Sequence, residues 1–222
     1  MKIIRLGLLL LPFLASGGAL HAQLVVYEFG PTATPTSAAS SVASDLSASL
    51  FTGNLGSPAT GSGTPVYSAG SGGGFFTATT WSGGAPGTNY FEFTLTPDSG
   101  HGFSLASISF GYRATGTGPS AFAVRSSSDG FSSTLVSGTI VNDTAWHSTG
   151  ALSITLSSLT TATTLRIYGS GASSNAGTLR VDDLTLNGSV TAIPESSTYA
   201  ALFSTVVFAA VMIRRRKLQP DA

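Results

Sequence analysis

The sequence predicts an all-β fold built as an antiparallel sandwich. Several short runs alternate apolar and polar residues with period two, the mark of half-buried strands. Gly, Ser, Pro and Asn punctuate the chain between those runs, with 27 glycines in 222 residues. Only Ser40–Leu50 has a composition suited to even a short helix within the main body.

A first strand is expected at Leu24–Phe29. The Ala/Ser/Thr/Pro-rich stretch Pro31–Ser44 reads as loop. So does Gly53–Gly74, with a short strand at Val66–Ser68. Phe75–Trp81 is a strand. Asn89–Thr96 alternates cleanly: Phe91, Phe93 and Leu95 take one side, and Tyr90, Glu92, Thr94 and Thr96 the other. Phe103–Arg113 continues through Ile108, Phe110 and Tyr112, and Ala121–Ser127 follows. Asp129-Gly130 is a turn signal. Further strands are expected at Thr134–Val141, Leu152–Leu156, Thr164–Gly169 and Leu179–Asn187. Strands in this number, without supporting helices, bury their apolar faces by packing two sheets together. A jelly roll is the form that suits residues 23–190 best.

Charged residues are 9 % of the chain, against roughly 25 % in ordinary soluble domains. Residues 23–193 hold four bases, Arg113, Arg125, Arg166 and Arg180, against eight acids, a net charge of −4. Such a surface has no electrostatic footprint for nucleic acid. The absence of cysteine excludes disulfides, thiolate metal sites and cysteine nucleophiles.

The two ends read as address labels. Residues 1–22 have the parts of a signal peptide: Lys2 and Arg5, the apolar run Leu6–Leu14, and small residues around Ala15–Ala19. The apolar run is shorter than the roughly 20 residues of a membrane span. Cleavage is expected after Ala22, with a cut after Ala19 as the alternative. Residues 191–222 form a tail in three parts. Ile193–Thr198 is polar and contains Pro194, Glu195 and Ser196. Tyr199–Ile213 is apolar apart from Ser204 and Thr205. Arg214, Arg215, Arg216 and Lys217 make a basic stop. The apolar part reads as a transmembrane helix whose bases stay on the cytoplasmic side.

This order of Pro-Glu, polar spacer, apolar helix and terminal Arg cluster resembles the PEP-CTERM sorting signal, with Ser196 where the commonest form has a second proline. The resemblance implies an exosortase-type processing enzyme as partner and transient residence in the inner membrane. It also implies release to, or retention at, the cell surface beside exopolysaccharide. A second resemblance covers Thr164–Gly169 and Thr178–Gly188, with Val26–Phe29 at the start. These segments are similar to the closing and opening strands of extracellular jelly-roll domains, among them carbohydrate-binding modules.

Asp182-Asp183 is the most informative polar feature. Leu179 and Val181 share one parity, and Leu184 and Leu186 the other, so a bulge at the aspartates would reset the register. A strand buried on both faces would give the same pattern. With Glu28, the two aspartates are candidate oxygen ligands for a structural Ca²⁺, as the resembling modules often carry. Solvated or arginine-paired acids are the alternative. Trp81 and Trp146, backed by Tyr67, Tyr90, Tyr112 and Tyr168, are candidate stacking surfaces for sugar rings. Aromatics on alternating strands also serve as core. His101 and His147 sit in no metal-binding pair, and no nucleophile elbow is present. No catalytic residue is assigned. The sequence therefore points to a non-enzymatic exported surface or matrix protein associated with exopolysaccharide. A carbohydrate-binding module is the alternative, and a secreted polysaccharide hydrolase the second.

Overall fold

The computed structural model describes residues 21–30, 33–62, 73–81, 83–84 and 87–194, with Ser204, Val207, Phe208 and Met212 of the tail. In chain order the strands are β1 (Ala22–Tyr27), β2 (Ser41–Val42), β3 (Leu46–Ala48), β4 (Thr52–Asn54), β5 (Gly56–Ser62), β6 (Gly74–Thr79) and β7 (Tyr90–Pro97). There follow β8 (His101–Ala114), β9 (Ala121–Ser126), β10 (Val136–Thr139), β11 (His147–Ser148), β12 (Leu152–Leu159), β13 (Thr163–Ser170) and β14 (Leu179–Ala192). They form two antiparallel sheets. An eight-stranded sheet runs β11-β8-β14-β1-β2, with β12 also on β8, and β6 and β5 on the β14 side. A six-stranded sheet runs β10-β9-β13-β7-β3, with β4 also on β7.

Within this network β1-β14-β8-β12 lie side by side in one sheet, and β7-β13-β9-β10 in the other. Of these eight, successive strands cross between the sheets at every step except β9 to β10, and first and last are neighbours. That is the strand order of a jelly roll, as the sequence predicts.

The sheets meet through an aromatic core. Tyr27 packs on Phe93 at 5.3 Å between ring centroids, Phe76 on Phe91 at 5.4 Å, and Phe110 on Phe122 at 5.2 Å. Each pair joins one sheet to the other. The inward set of β7 is the predicted one: Phe91, Phe93 and Leu95 are buried, while Glu92 and Thr94 face outward. The Tyr27 hydroxyl donates to the Ser49 carbonyl at 2.7 Å, and burial holds its pKa above the ordinary tyrosine range.

Two sequence expectations differ from the structure. Ser40–Leu50 is not helical: it carries β2 and β3. Part of the expected loop Gly53–Gly74 is the strand β5, paired with β6. These segments are rich in Ser, Ala, Gly and Thr, and edge pairing, rather than an apolar repeat, holds them extended. The strand expected at Val66–Ser68 lies outside the described residues. So do residues 1–20, Glu195, Ser196 and the basic stop Arg214–Lys217. Ala22 stands in the ladder opposite Gly188. Pro194 is exposed just beyond β14. Ser204, Val207, Phe208 and Met212 are helical. Among the described residues no helix is long and apolar enough to cross a membrane.

Candidate functional site

The bulge expected at Asp182-Asp183 is present. Asp182 pairs with Gly111 and Thr185 with Ser109, so β14 spends one residue more than β8 between those points. Asp183 takes a positive φ of 47°, which an aspartate tolerates better than most side chains. The extra residue puts Leu179, Val181, Leu184 and Leu186 all into the core, and both-face burial is not needed to explain their parity.

The bulge also marks a change of neighbour. Before it β14 pairs with β6, ending at Val181 opposite Phe76; after it β14 pairs with β1, beginning at Leu184 opposite Tyr27. The two strands meet end to end there, and the Gly74 amide donates to the Gly30 carbonyl at 3.0 Å. Glu28 follows Tyr27 and comes level with Asp183. Burial first, and the Glu28 charge second, push the Asp183 carboxyl up to about 6. Asp182 is fully buried, and its Oδ1 accepts from the Asp183 amide at 2.8 Å. The structure thus brings Glu28 and Asp183 together and turns Asp182 to the backbone. Among the described residues no group of three or more His, Cys, Asp or Glu is placed to hold a metal.

The two tryptophans part company. Trp81 is 2 % exposed, stands edge-on to Phe91 at 4.8 Å, and donates its indole N–H to the Ala78 carbonyl at 3.0 Å. Its place depends on Gly169, where a Cβ would lie 2.6 Å from the indole. Trp81 is therefore core and presents no ring face to a ligand, a correction to the sequence expectation. Trp146 is partly exposed and lies on the outer face of the eight-stranded sheet. Its ring meets Phe75 at 6.2 Å.

Around Trp146 the register assembles a site that the sequence did not reveal. His147 pairs with Tyr112, which brings Trp146 level with Arg113. Arg113 pairs directly with Arg180 on β14. The Arg180 guanidinium lies over the Phe75 ring at 4.5 Å. Desolvation, and then the Arg113 charge, hold Arg180 below the usual arginine range. A notch of about 50 Å³ opens between the two arginines, lined also by Thr115, Thr144 and Thr178. The Arg113 Nε donates to the Thr144 carbonyl at 2.5 Å. At the rim the His147 Nε2–H donates to Asp143 Oδ1 at 2.8 Å, and this bond holds the Asp143 carboxyl below its ordinary range. His147 also stacks on Tyr112 at 5.5 Å. The face thus offers ring surface beside two cations, the pairing of apolar wall and directional polar groups that sugars require.

The other aromatic group is closed on itself. On the outer face of the six-stranded sheet, Arg166 lies 3.9 Å from the Tyr90 ring centre and 3.8 Å from that of Phe131. Its Nε donates to Glu92 at 2.9 Å. Tyr168 is 4 % exposed, with Arg125 over its ring. These side chains satisfy one another and brace the sheet. A cleft of about 300 Å³ lies at the sandwich edge between β4 and β5, floored by Phe51 and Phe76. Its lining carries no charged group.

Comparison with protein families and with curated proteins finds no match. Three solved structures show a loose likeness. The K1 cleaved adhesin domain of Lys-gingipain from Porphyromonas gingivalis W83 is 13 % identical, with a TM-score of 0.39 over 74 % of this chain and 97 % of that one. The family 11 carbohydrate-binding module from Clostridium thermocellum, in complex with a β-1,3-1,4-mixed-linked tetrasaccharide, is 13 % identical, with a TM-score of 0.36 over 80 % of this chain and 100 % of that one. The module TmCBM61, in complex with β-1,4-galactotriose, is 15 % identical, with a TM-score of 0.34 over 64 % of this chain and 88 % of that one. The chain's own side chains, not these likenesses, carry its functional assignment.

Proposed function

We propose that this chain is a non-catalytic, exported surface protein whose jelly-roll domain binds polysaccharide on the outer face of the eight-stranded sheet. The observation that carries the reading is Trp146, partly exposed on a sheet face beside Phe75, Arg113 and Arg180. A sugar's C–H face packs on such a ring while guanidinium donors fix its hydroxyls. Affinity electrophoresis of the full chain through gels containing neutral and acidic polysaccharides tests this. Retardation by at least one polymer is expected, and Trp146→Ala should weaken it about tenfold, the loss of roughly 1.4 kcal/mol of contact. Equal retardation of the Trp146→Ala protein would move the site elsewhere.

The ends support an addressing role. The signal peptide directs export, and the PEP-CTERM-like tail at 193–217 offers Pro194, Glu195 and Ser196 to an exosortase-type enzyme while its helix sits in the inner membrane. Pro194 disfavours helix at Ile193 and keeps the motif extended. Exchanging Pro194 and Glu195 for alanine should make uncleaved precursor accumulate in the membrane of a host containing exosortase. Surface protein that still ends at Ala222, with its location insensitive to that exchange, would make the tail a plain anchor.

Glu28 and Asp183 also suit a structural Ca²⁺. Two facing carboxylates, one of them held partly protonated by burial and by the other's charge, are a site that a hard cation relieves.

A further inference from the structure

We propose that the Arg113–Arg180 notch selects acidic sugars, holding the carboxylate of a uronic acid residue while its ring lies against Trp146. The inference rests on the polysaccharide-binding reading and adds the ligand's chemical class.

Residues 23–193 carry only four bases. Two of them occupy directly opposed positions on adjacent strands. Like charges opposite one another weaken a sheet, and a domain with eight acids could have supplied a carboxylate partner. Among the described residues neither arginine has one. The acids nearby are otherwise engaged: Asp143 is bonded to His147, and the Oδ1 of Asp182 accepts from the Asp183 amide. The repulsion between Arg113 and Arg180 is thus left for an anion to relieve.

The geometry limits that anion. Arg113 is fixed through its Nε on the Thr144 carbonyl, and Arg180 by its stack on Phe75. Both arginines line the notch, and a guanidinium fork is suited to planar, bidentate recognition of a carboxylate. Thr115, Thr144 and Thr178 line the same notch with hydroxyl-bearing residues. Its volume of about 50 Å³ suits a group as compact as a carboxylate. The ring then extends over the same sheet face, where Trp146 comes level with Arg113. One compact acid group attached to one flat saccharide is the description of a uronate unit. General attraction for a polyanion is not an alternative source of binding, because the domain's net charge is −4.

The test uses the purified full-length chain with three probes: polygalacturonate, the same polymer with its carboxyl groups reduced to alcohols, and sodium sulfate. The wild type should bind polygalacturonate about tenfold more tightly than the reduced polymer, as expected when one charge-assisted pair is lost. Arg113→Gln and Arg180→Gln should each abolish that preference, so that the acidic polymer is bound no more tightly than the reduced one. Arg180→Lys keeps the charge and should retain part of the preference, which separates recognition from damage to the sheet. Unchanged melting temperatures in the Gln variants complete that control. Equal binding of both polymers by the wild type would overturn the acidic specificity while leaving polysaccharide binding intact. Preference that survives in the Arg113→Gln/Arg180→Gln protein would overturn the assignment to this notch. Binding of sulfate with no binding of polygalacturonate would make the notch an inorganic anion site and overturn the uronate. Binding of neither polymer and no response to sulfate would sink this inference together with the reading on which it rests.

Discussion

Replacing Phe51 with alanine is expected to cost about 3–5 kcal/mol of folding stability. Phe51 is fully buried and meets five rings: Tyr27 at 5.6 Å, Phe29 at 5.1 Å, Phe76 at 5.0 Å, Phe91 at 5.5 Å and Phe93 at 5.7 Å. These neighbours come from both sheets and from the end of β1. Truncation removes the transfer free energy of the ring and leaves a cavity that rigid aromatics cannot collapse to fill. Thermal unfolding followed by circular dichroism should show a fall of about 10 °C or more. Phe51→Leu keeps most of the volume and should cost about 1–2 kcal/mol. A fall of under about 2 °C for the alanine variant would mean that the rings are not mutually supporting.

Phe51 was not legible in the sequence as a core residue. It follows Ser40–Leu50, whose serines and alanines read as a short helix, and it lies between β3 and β4 in neither strand. The side chain enters the core from a connection, and its backbone is tied to Ser37 by an amide-to-carbonyl bond of 2.8 Å. No periodicity marks such a position. Trp81 was misplaced for a related reason, since its burial depends on the glycine at 169 from a distant strand. The strands with strong alternation, β7, β8 and β13, were legible, and so was the parity reversal that announced the bulge in β14. The site on the eight-stranded sheet was not. Arg113 and Arg180 become partners only through the β8–β14 register, and a single sequence does not specify which distant strands pair.

The second large effect is expected at Glu28 and Asp183. Burial and the Glu28 charge give the Asp183 carboxyl a native pKa of about 6, against 3.8 for a solvated aspartate. A native pKa above the unfolded one means that the native state binds the proton more tightly. The group's favourable contribution is complete below about pH 4 and is lost as the pH rises through 6. The proposed calcium would bind the deprotonated pair, so its stabilisation should grow across that same interval and be largest above it. At a concentration one hundred times its dissociation constant, Ca²⁺ should add about 2.7 kcal/mol. Asp183→Asn, which tolerates the positive φ, should remove the calcium response and raise the melting temperature in chelator at pH 7.5. Glu28→Gln should do the same to a smaller degree. Melting curves at pH 5 and pH 7.5, with calcium and with chelator, check all of these. If calcium leaves both curves unmoved, the two carboxylates are a purely structural feature of the bulge.

The pairing of β1 with β14 has a consequence for how the molecule comes into being. The ladder joining Ala22 to Gly188 links the beginning of the domain to its end. A ribosome delivers these strands at opposite ends of its work, and so does any channel that passes the chain amino terminus first. Until β14 emerges, β1 has only the two-residue β2 as a partner, and β8 lacks the neighbour along most of its length. Closing so long a loop is slow, and contacts this remote in sequence delay the folding transition. The nascent chain therefore stays open and threadable until its last strand arrives. Completion of the fold therefore requires the whole stretch from Ala22 to Ala192 to be free at once.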